Sequence, residues 1–262
     1  MQIGSSNNSE VVKAQYATSK GLNTRLSFHD KYSTNKQGYG NWIVSNYVIQ
    51  KGMKVLEVGC GTGSIWLGQD KILSKIDQLV LTDLSEGMIK TAKENLGERD
   101  NIDYIVADIQ ELPFDDNSFD VVIANSMLYH VPNLNKGIRE VRRVLKENGI
   151  FYCATLGENN FVECLAEWFK LSGESFKPNH NFTMQNGEQI LKTTFSNIEA
   201  RFYEDSLNIT DIEELIKYLQ SLNSFKAIKD FPIKKVREIL EAHSNNGVIN
   251  LPKEYGMFIA KG

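Results

Sequence analysis

The chain has 262 residues, which is enough for one large α/β domain, and its 41% hydrophobic content can form a sizeable core. The formal net charge of −4 argues against a dedicated nucleic-acid-binding protein, because such proteins usually carry a basic surface. The chain has three cysteines, no basic and apolar leader and no membrane-length apolar run, which predicts a cytoplasmic protein without a signal peptide.

The N-terminal segment is predicted to be helical. Residues 10–19 and 22–32 have the pattern of two helices separated at Gly21. The second helix leads into a segment rich in aromatic and polar side chains, which extends to Trp42. We expect residues 1–50 to form a helical cap on the rest of the domain.

The segment Val55–Gly63 is the most informative part of the chain. An apolar strand that contains Glu57 continues into a glycine-rich turn, and residues 64–69 are compatible with a helix. A strand, a tight turn and a helix N-terminus form a nucleotide-type ligand site at the edge of a parallel sheet. The spacing is G-x-G-x-G, whereas a dinucleotide site has G-x-G-x-x-G, with a third glycine where this chain has Ser64. A carboxylate such as that of Glu57 suits a cationic ligand better than a pyrophosphate.

The E-x-G-x-G-x-G pattern resembles motif I of the class I S-adenosylmethionine-dependent methyltransferases. The pieces LTDLSEGM and ADIQELPF look most like the ubiquinone and menaquinone biosynthesis branch, the methyltransferase type 11-like proteins, which methylate small molecules. The resemblance covers about residues 50–157. It implies an enzyme that uses S-adenosyl-L-methionine, releases S-adenosyl-L-homocysteine and methylates an O, N or C atom of a small-molecule acceptor.

Two further strands are followed by acidic residues. Asp83 ends the predicted strand Leu79–Asp83, 20 residues after Gly63, and an acid there is placed to accept hydrogen bonds from ribose hydroxyls. The strand Ile102–Val106 leads to Asp108, which the resemblance assigns to the adenine amino group. The spacing and the resemblance together predict a cofactor site formed by Tyr32, Glu57, Gly59, Cys60, Gly61, Gly63, Asp83, Leu84, Met88, Asp108, Ile109 and Asn125.

The remaining elements predict a Rossmann-like fold. Val121–Asn125 is the fourth strand, a helix follows over 135–146, and Ile150–Thr155 is the fifth strand. Because strands and helices alternate at short loops, we expect an α/β, doubly wound and mostly parallel sheet. The resemblance adds two strands to make seven, at Ile198–Tyr203 and Tyr255–Ala260, and the last of them is antiparallel.

We expect one methyltransferase domain over residues 1–262, with its cofactor-binding core at 51–157. The C-terminal part, 158–262, is predicted to hold the last two strands and a helical insertion at about 204–254 that covers the acceptor site. The predicted helices of this part cover 160–171, 185–195, 211–222 and 233–243.

The acceptor side of the site is less well defined by the sequence. His130 follows the fourth strand at the carboxyl edge of the sheet, where ligands bind, and imidazole groups suit general-base catalysis near neutrality. The same histidine can equally be a hydrogen-bonded wall of the pocket. His29, Tyr39 and Tyr129 are the predicted acceptor contacts, since N-terminal segments of the resembled family help to form the acceptor pocket. The cysteine spacing does not predict a metal site, and no pattern indicates the oligomeric state.

Three other functions stay open at this point. A nicotinamide-dependent oxidoreductase would share the strand and the turn, but Ser64 and Glu57 count against it. A non-catalytic regulator would keep the fold only to sense the cofactor or to act as a scaffold. An RNA or protein methyltransferase would be indicated by an Asn-Pro-Pro-Tyr-type motif, whereas residues 125–128 read Asn-Ser-Met-Leu.

Overall fold

The computed structural model describes residues 27–173, 176, 178–221, 228 and 230–262. The predicted helix at 10–19 and the first part of the helix predicted at 22–32 lie outside these ranges. Seven strands form one sheet in the order β3-β2-β1-β4-β5-β7-β6. The strands are β1 (Lys54–Val58), β2 (Gln78–Asp83), β3 (Ile102–Val106), β4 (Phe119–Asn125), β5 (Leu145–Leu156), β6 (Asn197–Ile209) and β7 (Ile249–Lys261).

The sheet is doubly wound. Strands β1 to β5 pair in parallel, and β7 runs antiparallel between β5 and β6. The chain first builds outward from β1 to β3 and then returns to place β4 on the other side of β1. Ligands bind to such sheets beside the carboxyl ends of the strands at this reversal. The predicted α/β fold with an antiparallel last strand is confirmed.

Both faces of the sheet are buried. Neighbouring residues on β1 point to different faces, so Leu56 packs in a cluster with Ile138, while Val55 packs in a second cluster with Ala92. Burial on both faces explains why these strands consist of continuous apolar runs. None of the helices in the described ranges is long and apolar enough to cross a membrane. The helices are α1 (27–32), α2 (Tyr39–Ser45), α3 (Asp70–Leu73), α4 (Glu86–Leu96), α5 (Leu134–Val144), α6 (Phe161–Trp168), α7 (Gly187–Leu191), α8 (Ile212–Ser221) and α9 (Ile233–Ala242).

The β6–β7 hairpin is longer than the sequence predicts. Its strands stay paired from Asn197 opposite Lys261 to Ile209 opposite Ile249, so the insertion between them covers 210–248 rather than about 204–254. The extension contains polar residues and Pro252, which are not typical of a strand, so the sequence pattern does not predict this part of the hairpin. Proline is tolerated there because β5 stops pairing with β7 at Tyr255 and leaves one edge of β7 unpaired. Helices α1, α6, α8 and α9 bury a third apolar cluster against this extension.

The helix predicted at 64–69 is replaced by two shorter elements. Ser64–Trp66 forms one turn of 3-10 helix, and α3 begins only at Asp70. Gly68 lies between them with a φ of 74°, which interrupts a regular helix. Trp66 is buried by this arrangement, and its indole reaches back toward β1.

Candidate active site

The glycine turn after β1 depends on three residues with positive φ. Gly59, Gly61 and Gly63 have φ values of 65°, 56° and 67°. A Cβ atom on Gly59 would lie 2.8 Å from Cγ of Met127, and one on Gly63 would lie 3.0 Å from Cδ1 of Leu96. A Cβ atom on Gly61 would meet nothing within 4 Å. Two of the glycines therefore allow close packing, while Gly61 leaves space into which a ligand can approach the backbone.

Asp83 fixes this turn from the end of β2. Its Oδ2 accepts a hydrogen bond from the backbone N–H of Gly61 at 2.9 Å, and its Oδ1 accepts one from the N–H of Ser85 at 2.8 Å. Burial raises the pKa of Asp83, and these backbone hydrogen bonds oppose that rise. The carboxylate also lines the cavity in front of the turn, so one residue both shapes the turn and presents an acceptor to a ligand.

Glu57 lies buried beneath the turn. Nε1 of Trp66 donates a hydrogen bond to its Oε2 at 2.6 Å, and Nδ2 of Asn125 donates one to its Oε1 at 3.0 Å. The same Nδ2 donates to the Tyr47 hydroxyl at 2.8 Å, whereas Oδ1 of Asn125 is buried with no hydrogen-bond partner in the described part of the chain. Burial raises the pKa of Glu57 to about 7, despite the two hydrogen bonds that favour the carboxylate.

A cavity of about 820 Å³ lies in front of these residues. It is lined by ten of the twelve predicted cofactor residues, by residues of the N-terminal segment 33–41 and by Tyr129 and His130 of the 3-10 turn that follows β4. The ten residues are Glu57, Gly59, Cys60, Gly61, Asp83, Leu84, Met88, Asp108, Ile109 and Asn125.

Two predicted cofactor residues lie outside the cavity lining. Tyr32 is buried against α8, and its hydroxyl donates a hydrogen bond to Oε2 of Glu214 at 2.5 Å. Gly63 packs against Ala92 and Leu96 of α4. The structure therefore gives Tyr32 a role in holding the N-terminal segment to the insertion, and it gives Gly63 a packing role.

The predicted acceptor residues all line the same cavity. Nε2 of His29 lies 2.9 Å from the hydroxyl of Tyr218, which anchors this histidine to α8. The Tyr39 hydroxyl donates to the backbone carbonyls of Thr155 and Gly256, at 3.2 and 2.8 Å. Burial holds the pKa of Tyr39 well above its usual range, so Tyr39 forms a fixed, uncharged wall. The rings of Tyr129 and His130 lie side by side with their centroids 4.6 Å apart.

The sequence of the core matches known methyltransferases. Residues 56–153 match a family profile described as a methyltransferase domain. A demethylmenaquinone methyltransferase of Staphylococcus aureus is 29% identical over 178 residues, which cover 67% of this chain and 72% of that protein. The chain is an S-adenosylmethionine-dependent methyltransferase, and its core is similar to the class I methyltransferases. The cofactor of this methyltransferase is S-adenosylmethionine.

Solved structures share the fold of the methyltransferase at low sequence identity. The YcgJ protein of Bacillus subtilis has a TM-score of 0.59 at 18% identity, over 85% of this chain and 97% of that chain. Phosphoethanolamine N-methyltransferase 2 of Haemonchus contortus, in complex with S-adenosyl-L-methionine, has a TM-score of 0.57 at 19% identity, over 96% of this chain and 59% of that chain. At these identities the likeness concerns the fold alone.

The residues of the methyltransferase cavity fit S-adenosylmethionine. This cofactor carries an ammonium group, a sulfonium and ribose hydroxyls, and it has no phosphate. Three carboxylates, those of Glu57, Asp83 and Asp108, line the cavity beside or near the glycine turn, and Oδ1 of Asn125 is a buried acceptor that lacks a donor in the described ranges. Acceptors of this kind match ammonium and hydroxyl donors, and the negative charge suits a cation.

Sequence reasoning missed the lining residues on β7. Nζ of Lys253 donates to Oγ of Ser33 at 2.7 Å and pairs with Oδ2 of Asp205 at 2.5 Å, and the lysine is almost fully buried. Tyr255 follows two residues later on the same face of the strand and also lines the cavity. The signal that could have found them is the alternation of Ile249, Leu251, Lys253 and Tyr255, which marks one buried strand face.

Proposed function

We propose that the methyl acceptor is a small molecule that binds beside the cofactor in the same cavity. The observation that carries this proposal is one continuous cavity, lined both by Gly61 in the glycine turn and by His29 and Tyr255. Its volume of about 820 Å³ lies in the upper part of the ~300–1,000 Å³ range of small-molecule sites. The Staphylococcus aureus relative is named for a small-molecule acceptor, demethylmenaquinone, which supports the same class of acceptor here.

The protein contributes mainly position and water exclusion to this reaction. When bound, S-adenosylmethionine would supply a methyl group on a sulfonium: the nucleophilic atom of the acceptor would bond to the methyl carbon in line as the carbon–sulfur bond breaks, with S-adenosylhomocysteine as the leaving group. The buried acids Glu57 and Asp83 hold the cationic cofactor near the turn. Tyr39, fixed by two backbone carbonyls, closes the cavity on the side of the N-terminal segment. Exclusion of water strengthens the interactions of the charged groups inside.

His130 is the proposed proton acceptor for an acceptor group that must lose a proton. It lines the cavity directly after β4, within the 3-10 turn Leu128–His130, so its ring stands at the carboxyl edge of the sheet. The ring of Tyr129 packs beside it and limits its rotation. His130→Ala should lower kcat by about 10²–10⁴-fold while the affinity for S-adenosylmethionine stays within about twofold. A loss of cofactor affinity together with thermal stability would instead assign His130 to the structure of the pocket.

Calorimetric titration tests the cofactor half of the proposal. We expect the protein to bind S-adenosylmethionine and S-adenosylhomocysteine and to give no heat with NAD. The acceptor half is tested by transfer of a radiolabelled methyl group to a panel of small phenols, carbonyl compounds and amines, with a denatured protein and an oligopeptide panel as comparison acceptors. Labelling of peptides in place of small molecules would refute the proposed acceptor class, and absence of cofactor binding would favour a non-catalytic regulator.

A further inference from the structure

The Tyr255 hydroxyl has no hydrogen-bond partner among the described residues of the protein. Tyr255 lines the cavity, and no hydrogen bond joins its hydroxyl to any residue in the described ranges. Nearby tyrosines differ in this respect. The Tyr39 hydroxyl donates to two backbone carbonyls, and the Tyr203 hydroxyl donates to the carbonyl of Asn35 at 3.3 Å. Tyr255 is half-buried and lines the cavity, so its hydroxyl is open to a ligand that can supply the partner the protein does not.

The ring that carries this hydroxyl is held in one position. The backbone of Tyr255 pairs with Leu156 on β5 and with Tyr203 on β6. The ring centroid lies 4.9 Å from that of Tyr39, and Nζ of Lys253 lies 4.9 Å from the same centroid. Because strand pairing and both contacts fix the side chain, a ligand that bonds to the hydroxyl loses little further side-chain entropy.

The hydroxyl is a hydrogen-bond donor under all ordinary conditions. Burial raises the pKa of Tyr255, and the neighbouring groups of Tyr218, Asp205 and Glu163 raise it further. Since the phenol keeps its proton, it can donate a hydrogen bond to a ligand atom that carries a lone pair. A carbonyl oxygen is such an atom, and it can take the proton of the Tyr255 hydroxyl in a hydrogen bond without a change of charge.

The surrounding walls favour a flat molecule. The aromatic rings of Tyr39, Tyr129 and His130 line the same cavity as Tyr255. Aromatic side chains pack best against other flat rings, in offset or edge-to-face arrangements. The two charges on the strands beside Tyr255 compensate each other, because Lys253 pairs with Asp205. Glu163, the other acid that acts on Tyr255, has its Oε1 3.2 Å from Nε2 of His180.

We infer that the Tyr255 hydroxyl positions the methyl acceptor by donating a hydrogen bond to a carbonyl oxygen on a flat, aromatic molecule. Tyr255 is thus a specificity-determining residue, and the acceptor class is an aromatic carbonyl compound. The inference rests on the proposed small-molecule function. It adds a residue on β7, outside the region matched by the methyltransferase profile, which ends at residue 153.

A pair of probes tests the hydrogen bond directly. 4-Hydroxyacetophenone and 4-ethylphenol have similar size and the same phenol, but only the first has a carbonyl. Binding of each is measured by ligand-observed NMR to the protein saturated with S-adenosylhomocysteine. We expect the ketone to bind about tenfold more tightly than 4-ethylphenol to the native protein, and this preference to disappear in Tyr255→Phe.

Tyr203→Phe is the matched control, because Tyr203 lies on the neighbouring strand, is buried and does not line the cavity. It should keep the preference for the ketone, and both variants should keep the affinity for S-adenosylhomocysteine. Equal binding of the two probes to the native protein, no binding of either, or an unchanged preference in Tyr255→Phe would overturn the inference. If the native protein still binds S-adenosylhomocysteine in those cases, the proposed methyltransferase function stands and only the role of Tyr255 is refuted. If the native protein does not bind S-adenosylhomocysteine, both the proposed function and the role of Tyr255 are refuted.

Discussion

The Asn125 amide donates a hydrogen bond to Oε1 of Glu57 at 3.0 Å, and this contact joins the carboxyl ends of β1 and β4 at the reversal of the sheet. Trp66 satisfies the other carboxylate oxygen, so both oxygens of Glu57 have donors. A turned Asn125 amide would present its Oδ1 to a protonated Glu57 in place of Nδ2. The pair therefore accommodates both protonation states of a carboxyl group whose pKa of about 7 lies near neutrality.

The stability of the cofactor-free protein should fall as pH rises through the titration of Glu57. Its pKa is about 7 in the folded protein and about 4.5 when unfolded, so the folded state binds more protons between these values. The stabilisation that Glu57 contributes through its raised pKa is complete below its unfolded pKa, and it is lost as pH rises through its folded pKa. We expect the free energy of unfolding by urea to fall by about 3 kcal/mol more in the native protein than in Glu57→Gln, from about pH 5 to about pH 8. A difference between the two proteins that stays constant with pH, or grows, would contradict this assignment.

Removal of the Asp83 carboxylate should weaken cofactor binding. Asp83→Ala loses an acceptor that faces the cavity and also releases the Gly61 N–H, so we expect a loss of about 1–3 kcal/mol in the free energy of S-adenosylmethionine binding by calorimetry. Asp83→Asn keeps one carbonyl oxygen and should lose less. Asp103→Ala, on the exposed edge strand β3, is the control and should bind normally. Unchanged affinity in Asp83→Ala would rule out the ribose contact.

The cofactor half of the site could be predicted because its signals are local. The glycine spacing, Glu57 and Asp83 lie within 30 consecutive residues, and strand periodicity alone brings their strand ends to one edge of the sheet. The structure places Asp83 on the backbone of Gly61, a contact that follows from parallel pairing of β1 and β2. The sequence pattern is therefore sufficient to predict that Asp83 lies beside the glycine turn.

The acceptor half depends on contacts between distant residues, which no local pattern encodes. Tyr32 meets Glu214, 182 residues away, and this contact takes Tyr32 out of the predicted cofactor site. Lys253 meets Asp205 because the hairpin continues past the sheet in a register that pairs these two residues. Before that register is known, a lysine next to a proline is typical of an exposed loop. The physical reason for the miss is therefore a buried ion pair that looks like surface charge in the sequence.

A side chain at the first glycine of the turn should destabilise the protein. Gly59 has a φ of 65°, and a Cβ atom there would lie 2.8 Å from Met127, so Gly59→Ala combines backbone strain with a steric clash. We expect thermal or urea unfolding to show a loss of about 1–3 kcal/mol. Gly40→Ala is the matched control, because Gly40 lies in α2 and a Cβ atom there has nothing within 4 Å. This control should be stabilised by up to about 1 kcal/mol, since alanine is the better helix former. Equal effects of the two substitutions would argue against a packing role for Gly59.

The buried pair of Lys253 and Asp205 should hold the N-terminal segment against the hairpin. Asp205 also accepts a hydrogen bond from the N–H of Asn35 at 2.9 Å, and Lys253 donates to Ser33, so the pair contacts both segments. Lys253→Met leaves the Asp205 charge buried without its partner, and we expect a loss of about 3–5 kcal/mol in the free energy of unfolding.

Two further variants separate this ion pair from a general effect of losing a lysine. Lys192→Met breaks an exposed pair with Glu188 and should change the unfolding free energy by no more than about 0.5 kcal/mol. The double variant Lys253→Met with Asp205→Leu removes both charges together and should recover most of the lost stability, because no uncompensated charge then stays buried. If Lys253→Met alone is as stable as Lys192→Met, the pair does not hold the segment. If the double variant is no more stable than Lys253→Met, the destabilisation does not come from the unpaired carboxylate.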